Sequence, residues 1–563
     1  MSIWDRGSHS SDDSAAVDFS TRTNGLDVGS ETAFATVHGW LQECDATHDR
    51  CGMTNPSGLP TRVVDVGPPD GTEEPRLYNT RREDGHYAAL SYCWGGPQPT
   101  TTTLATLNQN ETSIAFEELP MTLRDAIIVT RKIGLRYLWI DALCIIQDSD
   151  EDKTEQIGRM DTIYEQAYVT IVAVGAEKCT EGFLHEKHLA ELLDVVYMSY
   201  RCRDKRNGSL CLTTSASYGD DGQAISKRAW TFQESALSKR MLFYGARLYY
   251  ECPSSKGLYG KVEASDSSDE DWARTRMRKF PATSTIDQSQ DSWPKQRLEL
   301  SILWAKFMKS FSMRALTNPN DKLPAIAGVA SRFQTLTGES YAAGMWKERF
   351  PFALAWRAVS ETKKSKAQPT RRSLTWRAPS WSWAAIDGPI VFENATCTGA
   401  SRCRILTCET EPLYPTAPLG QLKSAMLALR TPSQELSMSL LPQSPVQYIS
   451  TRANLPNVVE RIVQARARSN QESWISEAHE MTAVLDSPED LTQSCFWMCS
   501  YGRTHADVLC IVLYSQNDEV HSLECVGLVL KEAEGGCYRR IGLCFNFPLA
   551  DIAAFEGRIV RII

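Results

Sequence analysis

Hydrophobic positions between about residues 86 and 174 alternate between strand-like and helix-like patterns. His86–Cys93 is apolar on both pleat faces, with Tyr87 and Ala89 on one side and Ala88, Leu90 and Tyr92 on the other. A strand of that kind is buried on both sides. The run stops at Trp94-Gly95-Gly96. In Leu119–Asp125, Thr122 can cap a helix and Asp125 at N3 can return the bond. That helix is predicted to run through Ala126, Ile127 and Thr130 and to stop at Gly134. Arg136–Ile146 is strand-like at its start, so a strand–helix–strand crossover follows. Asp152–Ala167 places Ile157, Met160, Tyr164 and Ala167 on one helical face, and Tyr168–Val174 is β-branched and strand-like. This rhythm predicts an α/β domain, a mostly parallel sheet flanked by helices.

The flanking stretches differ. Residues 1–32 are rich in Ser, Asp, Thr and Gly and are expected to form a disordered tail, with order from Ala33. A domain at 33–253 is followed by a charged linker or surface excursion at 254–296. Residues 297–563 are expected to be a mixed α+β region, with a helix over Leu298–Phe311, strands at Val508–Tyr514, Val526–Leu530 and Arg540–Phe545, and a polar loop at Glu361–Ser373. No internal repeat supports a solenoid or propeller.

Composition narrows the partners. The 563 residues carry 60 Lys+Arg and 69 Asp+Glu, a net charge of −9, which argues against a basic surface built for nucleic acid. Protein partners or small molecules fit better, and a homo-oligomer is one arrangement open to the chain. With no signal peptide and no membrane span in the pattern, a cytoplasmic location is expected. Seventeen cysteines are too sparse for a disulfide-stapled scaffold, so they are expected as thiols. The sequons at Asn110, Asn207 and Asn394 are then not expected to be glycosylated.

In open α/β sheets ligands bind at the carboxyl ends of strands, where Trp94-Gly95-Gly96 and Asp141 fall. The plain reading of Gly95-Gly96 is a turn needing positive φ; the other is close backbone approach to a ligand. Asp141, inside an apolar run, either holds a loop through backbone amides or serves a site. A helix over Arg228–Leu237 would put Glu234 on one face with Trp230 and Leu237, needing a cation such as Arg228 or Arg240. Either a structural ion pair or a site carboxylate satisfies that pattern. Glu155 falls opposite the apolar stripe of its helix and reads as a solvated charge. Cys44, His48 and Cys51 are closely spaced, but the nearest fourth donor is His38 and the set matches no standard zinc spacing, so no metal site is predicted. His185 and His188 lack metalloprotease spacing, and no phosphate loop, nucleophile elbow or dinucleotide fingerprint is present. Cys495 and Cys499, like Trp381 and Trp383, read as core packing.

Three segments, Tyr87–Gly96, Leu138–Gln147 and Arg228–Arg240, resemble in order and spacing the blocks of the fungal heterokaryon incompatibility (HET) domain. Trp40, Cys44, His48 and Cys51 resemble its usual lead-in, and so do Leu59–Arg62, Arg159-Met160, Ile163-Tyr164 and Ala167. Asp321–Gly328 and Ala378–Trp383 resemble segments found downstream in such proteins. The resemblance implies a fungal, intracellular effector of non-self recognition that triggers programmed cell death through protein interactions. It also implies a fold distantly similar to Toll/interleukin receptor (TIR) signalling domains. Some TIR-like relatives cleave NAD with a glutamate, which makes NAD a candidate substrate rather than a resident cofactor. On that alternative the catalytic carboxylates are Glu234 and Asp141, and Ser91, Trp94, Gly95 and Gly96 hold the nucleotide. The family glutamates map to Glu155 and Glu234, but Lys153 and Gln156 depart from the pattern around the first. A further alternative is an accessory role in a biosynthetic gene cluster.

Overall fold

The apolar run that starts at Tyr87 lies at the centre of a sheet, because a strand without a polar face must be covered on both sides. The structure, a computed structural model, describes residues 2–5, 27–48, 51, 55–185, 195–203, 205–213, 224–245, 248–258, 293–359, 370–396, 400–440, 463–467, 482–485, 497–498, 504–517, 523–545 and 557–563. The chain divides into two units, Met1–Ala282 and Thr283–Ile563.

The main sheet of the first unit is built from β1 (Arg62–Asp65), β2 (Arg76–Asn79), β3 (Tyr87–Ser91), β4 (Tyr137–Trp139), β5 (Val169–Val172), β6 (Met241–Tyr244), β7 (Leu248–Glu251) and β8 (Lys256–Leu258). Their spatial order is β8-β7-β6-β5-β3-β4-β1-β2. The four central strands, β6, β5, β3 and β4, run parallel. Strands β1 and β2 at one edge and β7 and β8 at the other are antiparallel additions. The expected mostly parallel sheet is therefore corrected to a mixed one. The β6-β7-β8 connections are too short to carry a crossover, so those strands can only fold back.

The helices that bear on the site and its supports are α1 (Glu31–Thr47), α2 (Met121–Lys132), α3 (Asp141–Cys144), α4 (Asp150–Ile157), α5 (Met160–Gln166) and α6 (Trp230–Leu237). Ser30 caps α1 by accepting from the Ala33 N–H at 3.2 Å. Of the segment expected as a tail, Ser2–Asp5 pairs antiparallel with a strand at Asn207–Thr213. The capping box expected at Thr122 is not formed. Pro120 occupies the N-cap of α2, the Thr122 hydroxyl donates to Lys178 O at 3.3 Å, and Asp125 accepts the N–H groups of Phe183 and Leu184. These two side chains dock the 178–184 loop instead. The stop at Gly134, with φ +78°, is as the sequence predicts. The single helix expected over Asp152–Ala167 breaks into α4 and α5 at Gly158, whose missing side chain weakens a helix interior.

The strand expected at the start of Arg136–Ile146 spans Tyr137–Trp139, and Asp141 opens α3 beyond it. Arg62 of β1 fixes that turn. Its Nε donates to Cys144 O at 2.9 Å, and its Nη2 pairs with Asp152 at 2.5 Å. Asp152 in turn accepts the Ile146 N–H at 2.7 Å.

The second unit is β-rich and carries helices as well as strands. Helices Trp293–Ser312 and Pro324–Thr337 bury Trp304 and Phe333, which meet edge-on at 5.0 Å. The strand-like runs at 508, 526 and 540 fall inside strands Thr504–Asn517, Leu523–Glu532 and Tyr538–Phe545 of a large sheet, eleven-stranded among the described residues. Trp381 and Trp383 are fully buried, with the Trp383 indole donating to Gly344 O at 2.8 Å. Lys322 lies 5.8 Å over the Trp383 ring, which packs the two downstream segments together. Cys495, Cys499, His188 and residues 361–369 of the expected polar loop lie outside the described residues. Among the described residues no helix is long and apolar enough to cross a membrane.

Replacing Arg62 by Met strands a half-buried carboxylate and the Cys144 carbonyl, and is expected to cost about 3 kcal/mol of stability in urea unfolding. Lys at the same position is expected to recover only part of this, since it lacks the forked donor geometry.

Candidate functional site

The central strand β3 ends at Ser91, and its neighbour β4 ends two residues before Asp141, so both chains leave the sheet at one carboxyl edge. Strand order reverses there, since β4 lies on one side of β3 and β5 on the other. Such a switch point opens a crevice between adjacent loops. Helix α6, which leads into β6, brings Glu234 to the end of β3. The Ser91 hydroxyl donates to Glu234 Oε2 at 2.5 Å, and both residues are buried.

Trp94 reaches the second carboxylate. Its indole N–H donates to Asp141 Oδ2 at 2.9 Å, while Asp141 Oδ1 accepts the Ala142 N–H at 2.7 Å. Arg228 donates to Tyr92 O at 2.8 Å, and its charge favours the ionised form of both carboxylates. Tyr164 donates to Leu90 O at 3.0 Å and also faces Glu234. The structure therefore joins Ser91 to Glu234 and Trp94 to Asp141, with the Arg228 charge acting on both acids.

Burial dominates the ionisation of both acids. It pushes Glu234 up to about 7, helped by the negative charge of Asp141 and opposed by Ser91, Arg228 and Tyr164. Burial also raises Asp141, against Arg228 and the hydrogen bond from Trp94. A carboxyl group poised near neutrality can donate or accept a proton, with a second acid and a cation beside it.

The glycines divide the two readings between them. Gly95 has φ +69°, and a Cβ there would meet the Lys178 Cα at 2.6 Å, so its absent side chain lets the 178 loop dock. Gly96, with φ +144°, would place an added Cβ in open space, so its glycine answers to backbone conformation rather than to crowding. One of the two cations offered for Glu234 is used elsewhere. Arg240 does not serve Glu234; it pairs with Asp45 at 2.6 Å and stacks on Tyr168. Glu155 is half-exposed between Arg82 and Arg159, a solvated charge as its helical position predicted.

Sequence reasoning missed the part played by Tyr92, whose hydroxyl favours ionised Asp141 by hydrogen bonding, and by Tyr164. Tyr164 scored only as an apolar position on its helix, although a phenol in a buried stripe needs a polar partner. It also missed Cys252, which joins Cys44, His48 and Cys51 in a set able to hold a metal ion.

Residues 87–234 match the family model described as heterokaryon incompatibility protein (HET). The match opens on the first residue of β3 and closes on Glu234. No curated protein and no solved structure matches the chain.

Because folded Glu234 keeps a proton that the unfolded chain releases above about 4.5, stability should fall as pH rises from there through about 7. Thermal and urea unfolding at pH 5 and pH 8 should show this loss, at most about 3 kcal/mol, and Glu234→Gln should remove most of it.

Proposed function

The chain carries a HET domain over residues 87–234, and on that premise we propose that it is an effector of heterokaryon incompatibility. In this reading it is a fungal protein whose HET domain triggers programmed cell death through protein contacts in non-self recognition. The observation that carries the reading is the family match, which covers the first two sequence blocks and the start of the third up to Glu234, and with it the Ser91–Glu234 contact joining the first to the third. The carboxyl edge of β3 and β4, where Ser91 meets Glu234 and Trp94 meets Asp141, is then the working part of the domain.

The convergence of Ser91, Trp94, Asp141 and Glu234 favours a second reading, cleavage of NAD by a TIR-like mechanism. Water would replace nicotinamide at the ribose carbon, giving ADP-ribose, nicotinamide and a proton. Ionised Glu234 would stabilise the positive charge that develops on the sugar, while Asp141 and Trp94 flank the ring system. Since the ionised form is required, the rate should rise as pH passes about 7.

Inducible expression in a filamentous fungus should arrest growth, and Glu234→Gln should relieve the arrest at equal protein level. Continued growth with abundant folded wild-type protein would contradict the effector reading. Purified protein incubated with NAD, alone and after forced oligomerisation, separates the two: nicotinamide release lost in Glu234→Gln supports the enzyme, and no release in either state removes it while leaving the effector reading standing.

A further inference from the structure

Beyond the last turn of α1 the chain folds back tightly. The His48 N–H bonds Cys44 O at 3.2 Å, and the Cys51 N–H bonds His48 O at 2.9 Å. This turn sets Cys44, His48 and Cys51 side by side. The β7–β8 hairpin turn comes against them, closed by the Cys252 N–H bonding Ser255 O at 2.9 Å. The sulfurs of Cys44, Cys51 and Cys252 and a ring nitrogen of His48 all lie within 4.8 Å of one another, with Cys252 Sγ 3.4 Å from His48 Nδ1. The three cysteines are buried and the histidine is half-buried at the rim.

Packing alone does not explain this convergence. Thiols that merely fill a core have no reason to meet an imidazole on a common centre, and a disulfide would use two of the three sulfurs and leave the third crowded against the ring. Tetrahedral zinc, at about 2.3 Å from sulfur and 2.0 Å from nitrogen, sets its ligand atoms roughly 3.5–3.8 Å apart. The cluster needs only a small contraction to reach that spacing. Three thiolates and an imidazole are soft donors that select zinc over magnesium or calcium. The Ser255 N–H donates to Cys252 Sγ at 3.2 Å, the kind of contact that steadies a metal-bound thiolate.

We propose that Cys44, His48, Cys51 and Cys252 hold one structural zinc ion that fastens the end of α1 to the β7–β8 turn. All four positions are filled by the protein, so the site is closed and its role is architectural rather than catalytic. The clip shuts a loop of roughly 200 residues that contains the whole site, which is where a cross-link restricts the unfolded chain most. Neighbouring contacts already seat the same helix: Trp40 stacks on Tyr250 at 5.9 Å, and Gly257 lets the indole approach, since a Cβ there would lie 2.5 Å from Trp40 Nε1. His38, the fourth donor that sequence proximity suggests, instead bonds Lys132 O at 2.7 Å.

The test is elemental analysis of the full chain, purified without affinity tag or chelator. About one zinc ion per chain is expected. Cys252→Ser should lose most of it, while Cys179→Ser, a buried thiol outside the cluster, should keep it. Cys252→His restores a zinc donor and should recover binding, which separates loss of a ligand from loss of fold. Cobalt exchanged into the wild type should give the visible bands of a tetrahedral thiolate site. Wild-type protein with reduced thiols that retains less than a tenth of an equivalent after zinc loading and washing would overturn the proposal, as would a disulfide found within the cluster by peptide mapping.

Discussion

Taking the Glu234 carboxylate out of water is the constraint around which the first unit is organised. An isolated buried charge costs many kcal/mol, so the group must either keep its proton or be surrounded by donors and cations. Both solutions are partly used here: its pKa is pushed up to about 7, and Ser91, Tyr164 and Arg228 favour the ionised form. Those partners come from the end of β3, from α5 and from the turn before α6. One buried acid thereby requires three distant stretches of chain to be placed with hydrogen-bond accuracy.

The sheet makes that accuracy attainable. Strand β3 is buried along its whole length and has parallel neighbours on both sides, so its carboxyl end cannot shift without disturbing both ladders. Arg62 then ties the turn carrying Asp141 to β1 through Cys144 and Asp152. Gly95 permits close docking of the 178 loop, which α2 holds through Thr122 and Asp125. Together these tertiary links hold the carboxyl edge of β3 and β4 in place.

Much of this was legible in the sequence, for identifiable reasons. The β3 run, the Gly134 stop and the exposed Glu155 follow from periodicity and backbone preference, which act locally. Glu234 and Asp141 stood out because a carboxylate in an apolar pattern demands a partner, although the pattern could not name Ser91 and Trp94 as those partners. The antiparallel edges were hidden because four-residue strands such as Arg62–Asp65 carry too little pattern to fix direction. Thr122 misled because a good capping side chain is equally good at holding a distant loop. Cys252 was invisible beside Cys44 because sequence proximity cannot see a hairpin that returns roughly 200 residues later.

Burial, reinforced by the nearby Asp141 charge, holds the Glu234 proton far above the ordinary carboxylate range. Following the side-chain carboxyl carbon of Glu234 by NMR across pH, in wild type and in Asp141→Asn, tests it most directly. A midpoint near 7 is expected in the wild type, moving down when the Asp141 charge is removed. An ordinary midpoint near 4.5, unmoved by Asp141→Asn, would contradict it.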